Sequence, residues 1–398
     1  MDTFVIDLAA RLLKPALKNG ILSTNDVIKS RERILTNPTT IDFYKKWNLA
    51  IYYQLRFGDA CKRFDDAVEK VKGEGWDAIV FSGDDVSRKC IDELGFEIHL
   101  FSEVYATLMS FWAPGVFLRP LAHRFLRGSV QIINALLDFI QYDPKKNGHV
   151  ENGEGSAENG HKLSSSFSSW KDRIEDIAMI SWNLTVLKVS LDNNFIDVIS
   201  NAVAPDNDEN CHVFNSSQEL NETKSLLTDI IVDTSREITP LVESYWETII
   251  DRLKSQCCRP LSAVKGVAAT YRMTNRPPPT HPSPYVSTIL RPLQEFDNEF
   301  ENRVPIEFRS SYKSNIVGHV SESYCTAVEE LIVTVKQTEQ ALRKRKARRT
   351  VAGGMSDGEK VMQQIRLDLD DFRNSVTSLS LEPESFEGIE KIQSLLIS

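Results

Sequence analysis

Apolar residues return along most of this chain with the three-and-four spacing that gathers them on one face of a helix. Phe57, Cys61, Phe64, Val68 and Val71 form the first such stripe. Asn37-Pro38 offers that helix a start, with a capping oxygen followed by a proline whose missing N–H costs nothing there. Leu118, Leu121, Phe125, Ile132, Leu136 and Ile140 form a second stripe, and Ile174, Ile177, Leu184, Leu191, Phe195 and Val198 a third with gaps. A fourth runs through Leu227, Ile231, Ile238, Leu241, Tyr245, Ile249 and Leu253. It predicts one helix, opened by a Ser216/Glu219 capping box and bent at Pro240. Later, Val317, Val320, Tyr324, Val328, Leu331, Val335 and Leu342 predict the clearest helix of all. Two shorter helices follow, on Val361, Ile365, Leu369, Phe372 and Val376, then on Phe386, Ile389 and Leu396, with Ser356 and Glu359 as a capping box. The stripes are long and mostly single-faced, and strand-like alternation is scarce. The expected class is all-α: an elongated rod of long antiparallel helical bundles.

The stripes are interrupted in four places. Asp143 to Ser169 holds three Asn-Gly pairs and a serine run with almost nothing to bury, and is expected to be disordered. Ala204 to Ser217 is a shorter polar loop. In Gly73 to Gly95, Ala78-Ile79-Val80-Phe81 fits a short strand or a helical turn equally well. Between Pro277 and Pro284 stand five prolines, which cannot donate backbone hydrogen bonds and so suggest an extended, solvated strut. The expected division is a helical body over 1–142, a linker over 143–169 and a bundle over 170–258. A proline-rich elbow over 259–284 comes next, then a long-helix bundle over 285–349, a loop over 350–356 and terminal helices over 357–398. The bodies before and after the elbow are expected to stack end to end.

Composition narrows the function classes. With 398 residues, 41% of them hydrophobic and 26% charged, the chain can bury two or three cores. A net charge of −9 argues against a general nucleic-acid binder. The six cysteines, Cys61, Cys90, Cys211, Cys257, Cys258 and Cys325, show neither a metal-ligand spacing nor a disulfide framework, and a reduced, cytosolic setting is the simplest reading. The amino terminus, with Asp2 and Asp7, is not a secretory signal. No apolar run approaches the roughly 20 residues needed to span a bilayer, so membrane association would be peripheral. The glycosylation-like triplets at Asn183, Asn215 and Asn221 then read as chance matches.

Candidate chemistry is sparse. Arg343-Lys344-Arg345-Lys346-Ala347-Arg348-Arg349 suits acidic lipid headgroups, but cations that close a helix also complement its dipole while staying solvated. Pro279-Thr280-His281-Pro282 has the spacing of a ligand for an aromatic groove, while an elbow accounts for the same prolines without a partner. Asp84-Asp85 suits a metal in principle, but without a parallel-sheet pattern around it a solvated loop is the favoured reading. Cys257-Cys258 cannot chelate zinc alone, and His123 is expected to be a core or boundary residue. No phosphate-binding glycine loop, HExxH or GxSxG is present. The expectation is a non-catalytic protein with no catalytic, metal or cofactor-binding residue and no cofactor.

One stretch carries a resemblance. Tyr271-Arg272-Met273-Thr274-Asn275, the prolines, Ser283-Pro284-Tyr285-Val286 and Leu290-Arg291-Pro292 resemble, in this order, the carboxy-terminal region of the conserved oligomeric Golgi complex subunit 2 family, its plant members especially. Phe43-Tyr44-Lys45-Lys46-Trp47-Asn48, Tyr52-Tyr53-Gln54-Leu55-Arg56-Phe57 and Leu121-Ala122-His123-Arg124-Phe125-Leu126-Arg127 extend the likeness towards the amino terminus. The resemblance implies a peripheral subunit of a vesicle-tethering complex on the cytosolic face of the Golgi membrane, acting in intra-Golgi retrograde transport and Golgi organisation. Its implied partners are the sister subunits, fusion proteins, small GTPases and coat proteins. Family members also carry a long amino-terminal coiled-coil half, and the resemblance here begins after it. Competing readings are a subunit of another helical-rod tether such as exocyst, against which the Met273 to Leu290 wording counts, and a helical enzyme using Asp84, Asp85 and a histidine.

Overall fold

The structure, a computed structural model, describes residues 36–46, 48–76, 94–141, 170–203, 217–272, 276–346 and 355–397, with positions 29 and 33. Among the described residues every regular element is helical. They fall into two compact units, one running to Glu243 and the other starting at Ser244.

In the first unit, α1 (Pro38–Lys45) and α2 (Leu49–Glu74) are separate helices, not one. The Asn37 side chain accepts from Thr39 N, at 2.9 Å, and so opens the short α1. Asn48 caps α2, accepting from the amides of Ala50 and Ile51 at 3.1 Å each. The expected start of the first stripe is therefore corrected to Asn48, the residue whose side chain satisfies otherwise orphaned amides. α2 packs on α3 (His99–Phe111) and α4 (Ala122–Gln141). Their core is aromatic, with Phe111 and Phe117 both against Phe125, and Tyr105 and Trp112 both against Phe195. Gly128 on α4 faces Tyr53 and Phe57 of α2; a Cβ there would lie 3.0 Å from the Tyr53 hydroxyl.

α5 (Ile174–Ser190) is buried on nearly every side, continues through a π-helical turn over Leu191–Phe195, and ends as α6 (Ile196–Val203). The gaps in the third stripe, from Ile177 to Leu184 and from Leu184 to Leu191, fall within α5 itself, where Ile180, Asn183, Val186 and Leu187 are buried as well and no single face stands out. α7 (Ser217–Arg236) packs on α6, and its Ser235 hydroxyl bonds Asp192 in the π-turn. α8 (Ile238–Cys258) begins after a break at Glu237. The bend expected at Pro240 is thus an interruption one turn earlier. A proline ring clashes with the carbonyl four residues back, here Arg236, where α7 stops.

The second unit is built on α13 (Tyr312–Lys346), α14 (Asp357–Ser378) and α15 (Glu387–Ile397), which all pack on one another. Val317, Val320, Tyr324, Val328 and Leu331 are buried as their spacing predicts, as are Val361, Ile365, Leu369, Phe372 and Val376. Ser356 and Glu359 form both halves of the predicted capping box. Gly388 of α15 lies so close to α13 that a Cβ would sit 2.7 Å from the Glu322 amide nitrogen, with the Ser321 carbonyl nearer still. Before the bundle come α9 (Val264–Tyr271), the short α10 (Val286–Ile289), α11 (Arg291–Phe300) and the short α12 (Ile306–Arg309). Trp246 of α8 is fully buried against Phe296, Phe308 and Tyr312. Asp297 of α11 holds α13 through Tyr312 and, at 2.7 Å, Lys313.

Candidate functional site

The proline segment is anchored along α14. Lys360 Nζ donates to the Arg276 carbonyl at 2.8 Å, Gln363 Nε2 to that of Pro279 at 3.3 Å, and Gln364 Nε2 to that of His281 at 2.9 Å. The Ser283 amide and the Tyr285 hydroxyl then both donate to Asp368, at 2.6 and 2.9 Å. The expected solvated strut is corrected accordingly. Proline removes amide donors but leaves carbonyls, and the side chains of α14 supply the donors those carbonyls lack. Only Pro279 among the five prolines is buried; Pro277, Pro278, Pro282 and Pro284 face solvent.

Asp368 is the centre of this arrangement, wholly buried at 0% exposure. Its carboxylate is balanced by neutral donors: the Ser283 amide, the Tyr285 hydroxyl and Gln364 Nε2 at 2.9 Å. Gln364 in turn accepts from the Tyr271 hydroxyl at 2.7 Å, so α9 joins the same network. Tyr285 and Tyr324 hydroxyls lie 3.5 Å apart. Burial, then the neighbouring Tyr324 and Asp368, push the Tyr285 phenol well above its ordinary range, and burial does the same to Tyr324. Burial and Asp368 also raise Tyr271. These phenols stay neutral donors, which is the state the carboxylate needs.

Sequence reasoning missed Gln364 and Asp368. The signal was present: two polar residues at helical spacing inside the stripe Val361, Ile365, Leu369 and Phe372, where a polar side chain must find partners. It also missed Asn183. This residue is fully buried, and its side-chain oxygen accepts from the amides of Glu97 and Ile98 at 3.0 and 3.1 Å, tying the two residues that lead into α3 to α5.

The other candidates fare differently. His123 is exposed, correcting the expectation of a core or boundary position; it lies on α4 away from Phe125 and Leu126, which are buried. Pro279 and Pro282 are split between the buried and exposed sides of the segment, so the groove-ligand spacing is not presented as one accessible face. Cys257 is buried, and burial drives its thiol to about 12, far from a reactive thiolate. Asp84-Asp85, Cys90, Cys211, the Ala78-Ile79-Val80-Phe81 run, Ser216 and Met273-Thr274-Asn275 lie outside the described residues, as do the segments over 143–169, 204–216 and 350–354. The side chains of the basic run from Arg343 to Arg349 do too, with those of Phe43, Tyr44 and Trp47. Among the described residues no group of three His, Cys, Asp or Glu is placed to hold a metal ion, and no helix is long and apolar enough to cross a membrane.

Among the described residues the fold is all-α, that of a helical-bundle protein whose extended proline segment is bound along α14. Comparison with known proteins gives the particular family. The profile described as COG complex component, COG2, C-terminal matches residues 45–369, and the chain belongs to that family. It is 23% identical to the conserved oligomeric Golgi complex subunit 2 of Drosophila melanogaster over 90% of this chain and 46% of the fly protein. The human protein of the same name is 22% identical over 92% of this chain and 49% of its own length. For that of Arabidopsis thaliana the figures are 22%, 86% and 43%. The chain thus spans about half the length of these relatives. No solved structure matches it.

Proposed function

We propose that this chain is a non-catalytic part of a Golgi vesicle-tethering complex, acting through the helical surfaces it offers to sister subunits. The observation that carries this reading is the family match over residues 45–369, which includes both the anchored proline segment and the Asp368 network. Helical bundles with buried single-faced stripes suit such work, because they hold contact surfaces rigidly without requiring a cleft. On this reading the protein attaches peripherally to the cytosolic face of the Golgi membrane. It serves intra-Golgi retrograde transport, in company with fusion proteins, small GTPases and coat proteins.

Affinity isolation of the tagged chain from cells, with mass spectrometry of what comes down, tests the assignment. Recovery of the other subunits of the conserved oligomeric Golgi complex is expected. Recovery of exocyst subunits, with the tagged chain at the plasma membrane, would overturn it.

A further inference from the structure

The chain carries two Ser/Thr-Pro pairs, Thr239-Pro240 and Ser283-Pro284. The first lies inside helix α8. The second lies in the anchored segment, where residues 276–283 are neither helix nor strand and Pro277, Pro278, Thr280, His281, Pro282 and Pro284 face solvent. A kinase that selects proline after its target residue needs an extended stretch in its cleft, and only the second pair offers one. Ser283 is half-buried. Its amide is committed to Asp368 at 2.6 Å, while its hydroxyl makes no hydrogen bond to any described residue.

We propose that Ser283 is a phosphorylation site for a proline-directed kinase, and that the phosphate frees the segment from α14. The Ser283 oxygen attacks the γ-phosphorus of Mg-ATP, the bond to ADP breaks, and the hydroxyl proton passes to the kinase's base. The product carries about −1.5 to −2 charges near pH 7. A serine oxygen stays within ~4 Å of its own amide nitrogen, so the docked phosphate would lie within about 8 Å of the Asp368 carboxylate. That carboxylate is wholly buried, and water does not screen it. Asp371, on the same helix, adds to the negative field around Tyr324. Two cations oppose this. Arg276 acts on Tyr271, and Lys360 is bonded to the Arg276 carbonyl. Arg276 is exposed and Lys360 half-buried, so solvent screening weakens their pull on a phosphate. Modification therefore favours the state in which Ser283 and Tyr285 have left Asp368. The kinase need only catch the segment in a transient local opening, after which the phosphate opposes its return.

The test uses the full chain, a recombinant proline-directed kinase and Mg-ATP. Tandem mass spectrometry maps the site, and amide hydrogen exchange compares modified with unmodified protein. Phosphate is expected on Ser283 and not on Thr239. Exchange at residues 276–290 should then be at least tenfold faster, with α3 and α4 unchanged. Ser283→Ala should match the unmodified exchange pattern, because only the backbone amide contacts Asp368, and should take up no phosphate in this segment. Failure to modify Ser283 would overturn the proposal. So would a Ser283 phosphate that leaves exchange unchanged or slows it, the result expected if Arg276 and Lys360 captured the phosphate. None of these readouts depends on the tethering role.

Discussion

Asp368 shows at the scale of one residue why a buried charge can be kept. Its oxygens receive two donors from the proline segment and one from Gln364, so the cost of removing it from water is met locally. Asp368→Ala would leave the Ser283 amide and the Tyr285 hydroxyl without their acceptor, at ~1–3 kcal/mol for each orphaned donor. A drop of about 3 kcal/mol in chemical denaturation is expected, and a loss within the error of measurement would show that the anchor contributes nothing. The tyrosines give a second expectation, whose sign can be worked out. Tyr285 and Tyr324 are held above the ordinary 10.0, so the folded chain binds these protons more tightly than the unfolded one. Their contribution is fully present below about pH 10 and is lost as pH rises beyond it. Denaturation midpoints taken from about pH 8 to 11 should fall at the alkaline end. In Tyr285→Phe the fall should be shallower, and equal slopes would refute the assignment.

At the scale of elements, most of what the hydrophobic spacing predicts is present. The stripe from Val317 to Leu331 and the one from Val361 to Val376 are both buried in the second unit, because three-and-four spacing leaves a helix only one way to hide its apolar face. The boundaries were harder to read, for reasons specific to each. The amide-accepting Asn48 lies eleven residues beyond Asn37, and both sit in good capping context. Pro240 acts on the carbonyl four residues before it, so the break falls where the sequence shows nothing unusual. The π-turn at Leu191–Phe195 has no composition of its own. The proline segment was legible as extended backbone, but its docking was not. That depends on Gln363, Gln364 and Asp368, more than eighty residues further along the chain. The Ser356 cap, by contrast, was plain from spacing alone and can be weighed directly. Ser356→Ala should cost about 1 kcal/mol through the freed Glu359 amide, measured by thermal melting, while Ser356→Asp should restore the stability. An alanine variant as stable as the parent would mean the box is decorative.

For the whole molecule, the division between Glu243 and Ser244 implies that damage to one core need not spread to the other. Leu331 tests this, since it is 3% exposed on α13 within the second unit. Leu331→Asp places an unpaired carboxylate among apolar side chains, at a cost of several kcal/mol, a large share of the stability a single core ordinarily has. Hydrogen exchange of the intact variant should show protection lost across α13, α14 and α15, which pack on one another. Protection should persist in α3 and α4, whose aromatic core around Phe125 lies in the first unit. Deleting 143–169 makes the contrasting experiment. That stretch has almost nothing to bury, so its removal should leave the melting temperature nearly unchanged. Uniform loss of protection in Leu331→Asp would mean the two units unfold as one, and strong destabilisation by the deletion would mean the polar stretch belongs to a core.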